Sequence, residues 1–187
     1  MKQIKNYINE KLHVTSKSFY TCQPKTSEEL HDIIIQRIKE DGPECNLNDI
    51  DVSKITDMMC MFDADTTYGG NDIFKDFNGD ISQWDVSNVT DMNGMFRGCK
   101  KFNGDISRWN VSKVKDMQYM FINCYKFNCD LSRWNVSNVN DMNWMFGYCK
   151  NFNQNIDDWD VSNVKTAGLA FSGCPTKPKW YYRNKWE

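Results

Sequence analysis

The stretch WDVSNVTDMNGMFRGCKKFNGDISR, residues 84–108, decides the fold because the chain repeats it. It returns as WNVSKVKDMQYMFINCYKFNCDLSR at 109–133 and as WNVSNVNDMNWMFGYCKNFNQNIDD at 134–158, and it fades through WDVSNVKTAGLAFSGC at 159–174. An earlier copy begins near residue 46 and contains DVSKITDMMCMF at 51–62. A fixed period of 25 residues predicts stacked units that bury their apolar faces against one another.

The composition limits which classes of protein this chain can represent. The 187 residues include 23 basic and 25 acidic side chains, and this balance argues against a nucleic-acid-binding protein. No run of 18 apolar residues occurs, so we expect no membrane span. The first 14 residues lack the apolar core and cleavage site of a secretory signal. We therefore expect a cytoplasmic or particle-associated protein, with a surface location only by another export route.

Within one repeat, apolar residues indicate two kinds of local structure. Val114, Met117, Met120, Phe121 and Cys124 are spaced by threes and fours, which is typical of a short helix or a tightly wound turn. The segment 105–109, Asp-Ile-Ser-Arg-Trp, alternates and predicts a strand. Strands of successive repeats would form a parallel sheet on one face, and the helical segments would line the other.

The two ends are predicted to cover the repeats, which span residues 46–174. Residues 1–45 predict a helical cap, with one short helix over 2–12 and a second from about Ser27 to Glu40. Thr26 and Glu29 have capping-box spacing, and Gly42-Pro43 ends the second helix. Residues 175–187, rich in aromatic and basic side chains, would cover the last repeat. The alternative is a basic-aromatic patch for a partner, RNA or a lipid surface.

Three residue types recur at single repeat positions and form columns. The cysteines favour a reduced, buried ladder over disulfides or zinc, because equivalent side chains point the same way and no C-x-x-C occurs. The asparagines would satisfy backbone groups between repeats. The tryptophans either fill the core or, if exposed, form a platform for sugars or apolar partners. The columns comprise Cys99, Cys124, Cys149 and Cys174; Asn78, Asn103, Asn128 and Asn153; and Trp84, Trp109, Trp134 and Trp159.

Two surface features are candidates for recognition. The step from Asp51 to Asp85 is 34 residues instead of 25, so an insertion near 63–76 would project as a loop, with Asp65, Tyr68 and Asp72 as candidate contacts. The second is a solvent-facing row whose charge varies while the core positions do not. The alternative for both is an ordinary solvated surface. The row comprises Ser82, Gln83, Ser107, Arg108, Ser132, Arg133, Asp157 and Asp158.

The sequence offers little for catalysis or for a bound cofactor. Both histidines, His13 and His31, precede the repeats, and no nucleophile or phosphate-binding motif is present. An acidic column of Asp80, Asp105 and Asp130, followed by Asn155, raises the alternative of calcium, but the recurring Phe-Asn-Gly-Asp phrase favours a turn. We expect no catalytic residues, no metal and no cofactor.

These repeats resemble the BspA-like leucine-rich-repeat surface-protein family, with PARCEL-type repeats. The resemblance rests on V-x-x-M-x-x-M-F-x-x-C-x-x-F, which begins at Val89, Val114 and Val139. It implies an α/β, leucine-rich-repeat-like right-handed solenoid with short parallel strands and a non-catalytic role in protein recognition or scaffolding. The partner would be a protein of unknown identity. The alternatives are a carbohydrate-binding adhesin, which would bind a glycan, and a structural component of a phage or other particle.

Overall fold

The structure is a computed structural model that describes residues 21–183 and residue 186. Its helices are α1 (Ser27–Asp41), two 3₁₀ helices (Thr66–Tyr68 and Asp72–Phe74) and α2 (Lys179–Arg183). Helix α1 occupies the position expected from Thr26, whose side chain accepts the Glu29 N–H at 3.2 Å, and it ends at Gly42. The helix expected over residues 2–12, and His13, lie outside the described residues.

The expected α/β fold is wrong. Within residues 21–183 and residue 186 there is no strand and no sheet, so the leucine-rich-repeat-like solenoid with short parallel strands, and the right-handed form that the resemblance implied for it, are not supported. Successive repeats meet instead through isolated parallel bridges. The bridges join Asp57 to Asp91, Asp91 to Asp116, Asp116 to Asp141, and Asp141 to Thr166.

Short side chains explain why the bridges do not extend into strands. Asp80, Asp85 and Asp91 each accept the N–H of the residue two positions later, at 2.8–3.0 Å. In such a turn the backbone N–H bonds to a nearby side chain, which competes with the hydrogen bonds that would join neighbouring repeats into a sheet. The same turns recur in the following repeats, for example at Asp105 and Asp130. Extended segments are therefore interrupted before a ladder can form.

The apolar steps of three arise from turns rather than from a helix. In residues 92–98 alternate N–H groups bond to the next repeat: Met92 to Asp116 O and Phe96 to Met120 O, at 3.0 and 2.9 Å. Between them, the Met95 and Arg97 N–H groups close four-residue turns, as Met95 does to Met92 O, and the Asn93 N–H donates to the Asp91 carboxylate. Gly94 and Gly98 adopt left-handed φ angles of 61° and 76°, which interrupt right-handed helical geometry.

The core is a double stack of phenylalanines. In one column the ring centroids of successive repeats lie 5.5–5.6 Å apart, and in the second column they lie 5.9 Å apart. Within the three repeats that span residues 84–158, the ring centroids of the two columns lie 4.1–4.2 Å apart. This continuous aromatic core replaces the sheet as the element that holds the repeats together. The first column includes Phe96, Phe121 and Phe146, and the second includes Phe102, Phe127 and Phe152.

Helices cover the two ends of the stack. Helix α1 buries Leu30, Ile33, Ile34 and Ile38 against the first repeat. At the other end, Trp180 of α2 stacks on Trp159 with ring centroids 6.4 Å apart, and its indole N–H donates to Ile156 O at 2.9 Å. Trp180 thereby continues the tryptophan column beyond the last repeat.

Candidate functional site

The insertion forms an ordered loop. It contains the two 3₁₀ helices, whose first N–H groups are capped by Asp65 and Asn71. The loop folds back on itself, because the Asn71 N–H donates to Asp63 O at 2.8 Å. Gly70 lies inside this fold, and a Cβ there would sit 2.6 Å from Asp63 O. Only glycine therefore fits at this position.

One ion pair anchors the loop to the neighbouring repeat. Asp63 is buried and accepts the Arg97 Nε–H with both carboxylate oxygens at 3.0 Å, while the Arg97 Nη2 group pairs with the same carboxylate. The guanidinium also lies 5.0 Å from the centre of the Tyr68 ring. The equivalent positions in later repeats hold Ile122, Gly147 and Ser172, so this contact is specific to the insertion.

A cleft of about 740 Å³ separates the loop from α1. Tyr68 and Asp72 line it from the loop, and Glu28, His31 and Asp32 line it from the first turns of the helix. The structure thus brings two of the three predicted loop contacts to one cavity. The third, Asp65, instead lines a smaller cavity of about 270 Å³ beside Lys75, Lys100 and Tyr125.

Among the described residues, those that line the larger cleft include acidic side chains and no lysine or arginine. Its carboxylates are Glu28, Asp32, Asp57, Asp63 and Asp72, of which Asp63 is neutralised by Arg97. The pKa of Glu28 is lowered by its own backbone N–H and by the Thr26 hydroxyl, which keeps it charged. The apolar part of the lining comes from Met59, which is exposed, and Met61, which is buried. This combination favours a cationic ligand that carries some apolar surface.

The predicted solvent-facing row lies on turns rather than on strands. Gln83, Arg108, Arg133 and Asp158 are exposed, and Ser132 is as well. Ser82, Ser107 and Asp157 are half-buried. Asp157 accepts the backbone N–H of Lys179 at 2.7 Å and pairs with its ammonium at 2.8 Å, so α2 covers one end of the row.

The tryptophan column lies in the core. Its four indoles are 3–5% exposed and donate to backbone carbonyls of the preceding repeat, as Trp134 does to Ile106 O at 3.0 Å. A buried indole cannot serve as the sugar platform that exposure would have offered. The asparagines link repeats: Asn103 accepts the Asn128 N–H at 2.7 Å, and Asn128 accepts the Asn153 N–H at 3.0 Å.

The cysteine column is a ladder of thiol hydrogen bonds. Each thiol donates at 2.9 Å to a phenylalanine carbonyl of the preceding repeat, as Cys124 does to Phe96 O. All eight cysteines are free. Burial raises the pKa of Cys99, Cys124 and Cys149 well above the ordinary value, which keeps these thiols protonated.

The carboxylates of the acidic column, Asp80, Asp105 and Asp130, each accept the backbone N–H two residues later and so close a turn. Hydrogen bonds within these turns lower the pKa of Asp80, Asp105 and Asp130, with the Ser82 N–H, the Ser107 hydroxyl and the Ser132 N–H as the leading causes. Asn155 closes the equivalent turn by accepting the Asp157 N–H at 3.0 Å. No group of three or more His, Cys, Asp or Glu side chains suited to a metal ion occurs among the described residues.

Sequence reasoning missed a second surface, which we term the aromatic face. It comprises Tyr119, Ile122, Trp144, Tyr148 and Leu169, all of them partly or largely exposed. These residues fill the variable positions of D-M-x-x-M-F-x-x-C and of its last copy, T-A-x-x-A-F-x-x-C. The available signal was the contrast with Gly94 and Gly98, which occupy equivalent positions in the repeat at 84–108.

The repeats match a known protein family. A family model described as "Mycoplasma protein of unknown function, DUF285" matches residues 70–182, more than half of the chain. The chain belongs to this family. The DUF285 match begins inside the insertion loop and ends in α2, so it leaves α1 and its side of the cleft outside. No curated protein and no solved structure matches the chain. Among the helices described, none combines the length and apolar character needed to cross a membrane.

Proposed function

We propose that this DUF285 protein is a non-catalytic protein-recognition module whose cleft between α1 and the insertion loop binds a basic segment of a partner protein. The observation that carries this proposal is the charge of the cleft. Four carboxylates, Glu28, Asp32, Asp57 and Asp72, line it, and none of the lining residues that the structure describes is a lysine or arginine. A partner's lysine or arginine side chain complements that lining, and charge complementarity confers specificity and speeds association.

The shape of the cleft supports the same assignment. Its volume lies within the range of about 300–1,000 Å³ that is typical of ligand sites. Tyr68 is largely exposed at the rim, and Met59 is half-exposed beside it. Tyrosine and methionine are enriched at protein interfaces, and they can cover the methylene groups of a bound basic side chain. The resemblance to the BspA-like family, which implies binding roles, favours the same class of function.

The proposal is tested by selection of short random peptides on the purified protein, followed by affinity measurements on the selected peptides. We expect selected peptides to contain lysine or arginine next to apolar residues. Reversing charge in Asp32→Lys/Asp72→Lys should weaken their binding by roughly tenfold or more, because each reversal replaces an attraction of about 1 kcal/mol with a repulsion.

A matched control separates the cleft from general electrostatics. Asp76 is exposed, pairs with Lys101 at 3.2 Å and lies outside the cleft lining. Asp76→Lys makes the same kind of charge change as Asp72→Lys a few residues away, and it should leave peptide binding unchanged. Equal binding of the selected peptides to wild type and to Asp32→Lys/Asp72→Lys would contradict the proposal, and so would selection of peptides without basic residues.

A further inference from the structure

The aromatic face is held in an unfavourable backbone conformation. Tyr119, Trp144 and Leu169 adopt φ angles of 56–58°, and Tyr148 adopts 60°. Bulky residues rarely occupy this left-handed region, because Cβ approaches the carbonyl oxygen there. Gly94 and Gly98 hold the same positions in another repeat, so the fold itself does not require large side chains. Strain of this kind, concentrated on one exposed surface, is typical of a functional site.

The rings lie flat along the face. A Cβ on Gly147 would come within 2.7 Å of the Trp144 ring and 3.2 Å of Ile122, so both side chains pack against Gly147. A Cβ on Gly173 would come within 2.9 Å of the Tyr148 ring, so Tyr148 lies across the following repeat. The Trp144 and Tyr148 centroids are 5.8 Å apart. Together these side chains form a continuous apolar surface, on which Tyr148 is 43% and Leu169 50% exposed.

Charges of opposite sign border this surface. On one side lie the half-buried carboxylates Asp91, Asp116 and Asp141, which repeat bridges hold next to one another. The pKa of Asp91 is raised, mainly because the carboxyl is partly buried and also because Asp116 and Asp57 lie nearby. The hydrogen bond from the Asn93 N–H opposes this shift. Exposed Lys115 and Lys165 adjoin this acidic border in sequence.

The opposite border is basic. Lys100 and Lys150 approach the ring of Tyr125 from its two neighbouring repeats, at 5.9 and 4.7 Å from the ring centre. Lys75 holds the equivalent position one repeat earlier, where its carbonyl accepts the Lys100 N–H. In the repeats at 109–133 and 134–158 the chain thus passes from a carboxylate, through the aromatic face, to Tyr125 or to Lys150.

We infer that the aromatic face docks a second copy of this chain in a two-fold symmetric dimer whose axis runs along the stack of repeats. Such an axis places the acidic border of each copy opposite the basic border of the other. An axis across the stack would oppose like charges, which disfavours it. A two-fold interface buries the same patch on both copies, and the apolar centre with charged rims found here has the form of such an interface.

The test is sedimentation velocity of the purified chain over a range of concentrations, with no other macromolecule present. We expect a dimer that dissociates on dilution. Trp144→Gly/Tyr148→Gly should weaken the dimer by about tenfold or more, because aromatic residues at the centre of an interface carry much of its binding energy. Glycine already occupies both equivalent positions at 94 and 98, so this variant should fold, which circular dichroism checks.

Two further variants complete the test. Lys100→Glu/Lys150→Glu should also weaken the dimer, because two acidic borders would then face each other. Arg133→Ser changes an exposed residue of the solvent-facing row, which is not part of the aromatic face, and should leave the dimer unchanged. A monomer at every concentration would overturn the inference. A dimer unaffected by Trp144→Gly/Tyr148→Gly would overturn it as well, and so would a monomer whose face binds glycans.

Discussion

Replacing Arg97 with methionine should loosen the insertion loop and destabilise the protein. Arg97 is the sole side-chain cation in contact with Asp63 among the described residues, and the two side chains are 15% and 4% exposed. At 3.0 Å and an effective dielectric of about 20, their attraction amounts to about 5 kcal/mol. Removing one partner of a buried pair costs about 3–5 kcal/mol, because the other charge is left without compensation.

We take the lower end, about 3 kcal/mol, because Arg97 retains some contact with solvent. For a chain of this length, that loss corresponds to a fall in melting temperature of about 6–12 °C. Urea unfolding followed by tryptophan fluorescence measures it. Arg108→Met is the matched control: this arginine is exposed, so the change should stay within about 0.5 kcal/mol.

A double variant separates loss of packing from loss of charge compensation. Asp63→Asn/Arg97→Met removes both charges and keeps an oxygen that can accept the Asp65 N–H, which Asp63 now accepts at 2.9 Å. We expect it to be more stable than Arg97→Met alone. The reasoning is refuted if Arg97→Met costs less than about 1 kcal/mol, or if neutralising Asp63 gives no recovery.

Three further predictions concern the frame. Phe121→Ala should cost about 3–5 kcal/mol in urea unfolding, because its buried ring contacts three neighbouring phenylalanines, whereas Tyr182→Ala should cost little. Asn128→Ala should cost about 1 kcal/mol by the same measurement, because the Asn153 N–H loses its acceptor. Burial raises the pKa of Cys174 from 9.0 to about 11, so the unfolded thiol ionises first and stability should fall as pH rises from about 9 to 11. Urea midpoints across this window should fall less steeply in Cys174→Ala, and an equal slope would contradict the assignment.

Parts of the fold could be predicted from the sequence because they depend on the same residue type recurring at a fixed spacing. Cys124 and Trp134 recur every 25 residues in neighbouring repeats, and a side chain that recurs in a stack meets its own equivalent. Helix α1 was equally accessible, because Thr26 and Gly42 mark its ends locally. These predictions required no knowledge of how distant segments pack.

The predicted strands were wrong, and of the two alternatives for the apolar steps, a short helix or a tightly wound turn, the structure has the turn, which periodicity alone does not reveal. Spacing by threes, as in Val114, Met117 and Met120, fits a helix, but it equally fits turns closed by hydrogen bonds to the carbonyl three residues earlier, which present every third side chain to the core. Left-handed residues, here Tyr119 and Asn123, distinguish the two cases. Tyrosine and asparagine do not by themselves predict a left-handed conformation, whereas Gly94 and Gly98 at equivalent positions indicate one.

The cleft was predicted only in part. The insertion marked Tyr68 and Asp72 as candidates, but the second wall of the cleft comes from the first turns of α1, whose lining residues are more than 30 residues away from the loop in sequence. The pairing of Asp63 with Arg97 also joins residues separated by a whole repeat and its insertion. Such contacts depend on how the first repeat seats the helix and the loop, and no local pattern encodes them.

The two surfaces use the same frame in different ways. At the first repeat, extra residues build a loop, and its buried ion pair with Arg97 allows it to form one wall of a charged cleft. At the later repeats the backbone is unchanged, and only the side chains at left-handed positions differ, from glycine to Tyr119 and Trp144. Because the main-chain hydrogen bonds between repeats do not involve those side chains, surface chemistry can change there without altering the phenylalanine core. Replacing these side chains with glycine should therefore weaken binding without disturbing the phenylalanine core.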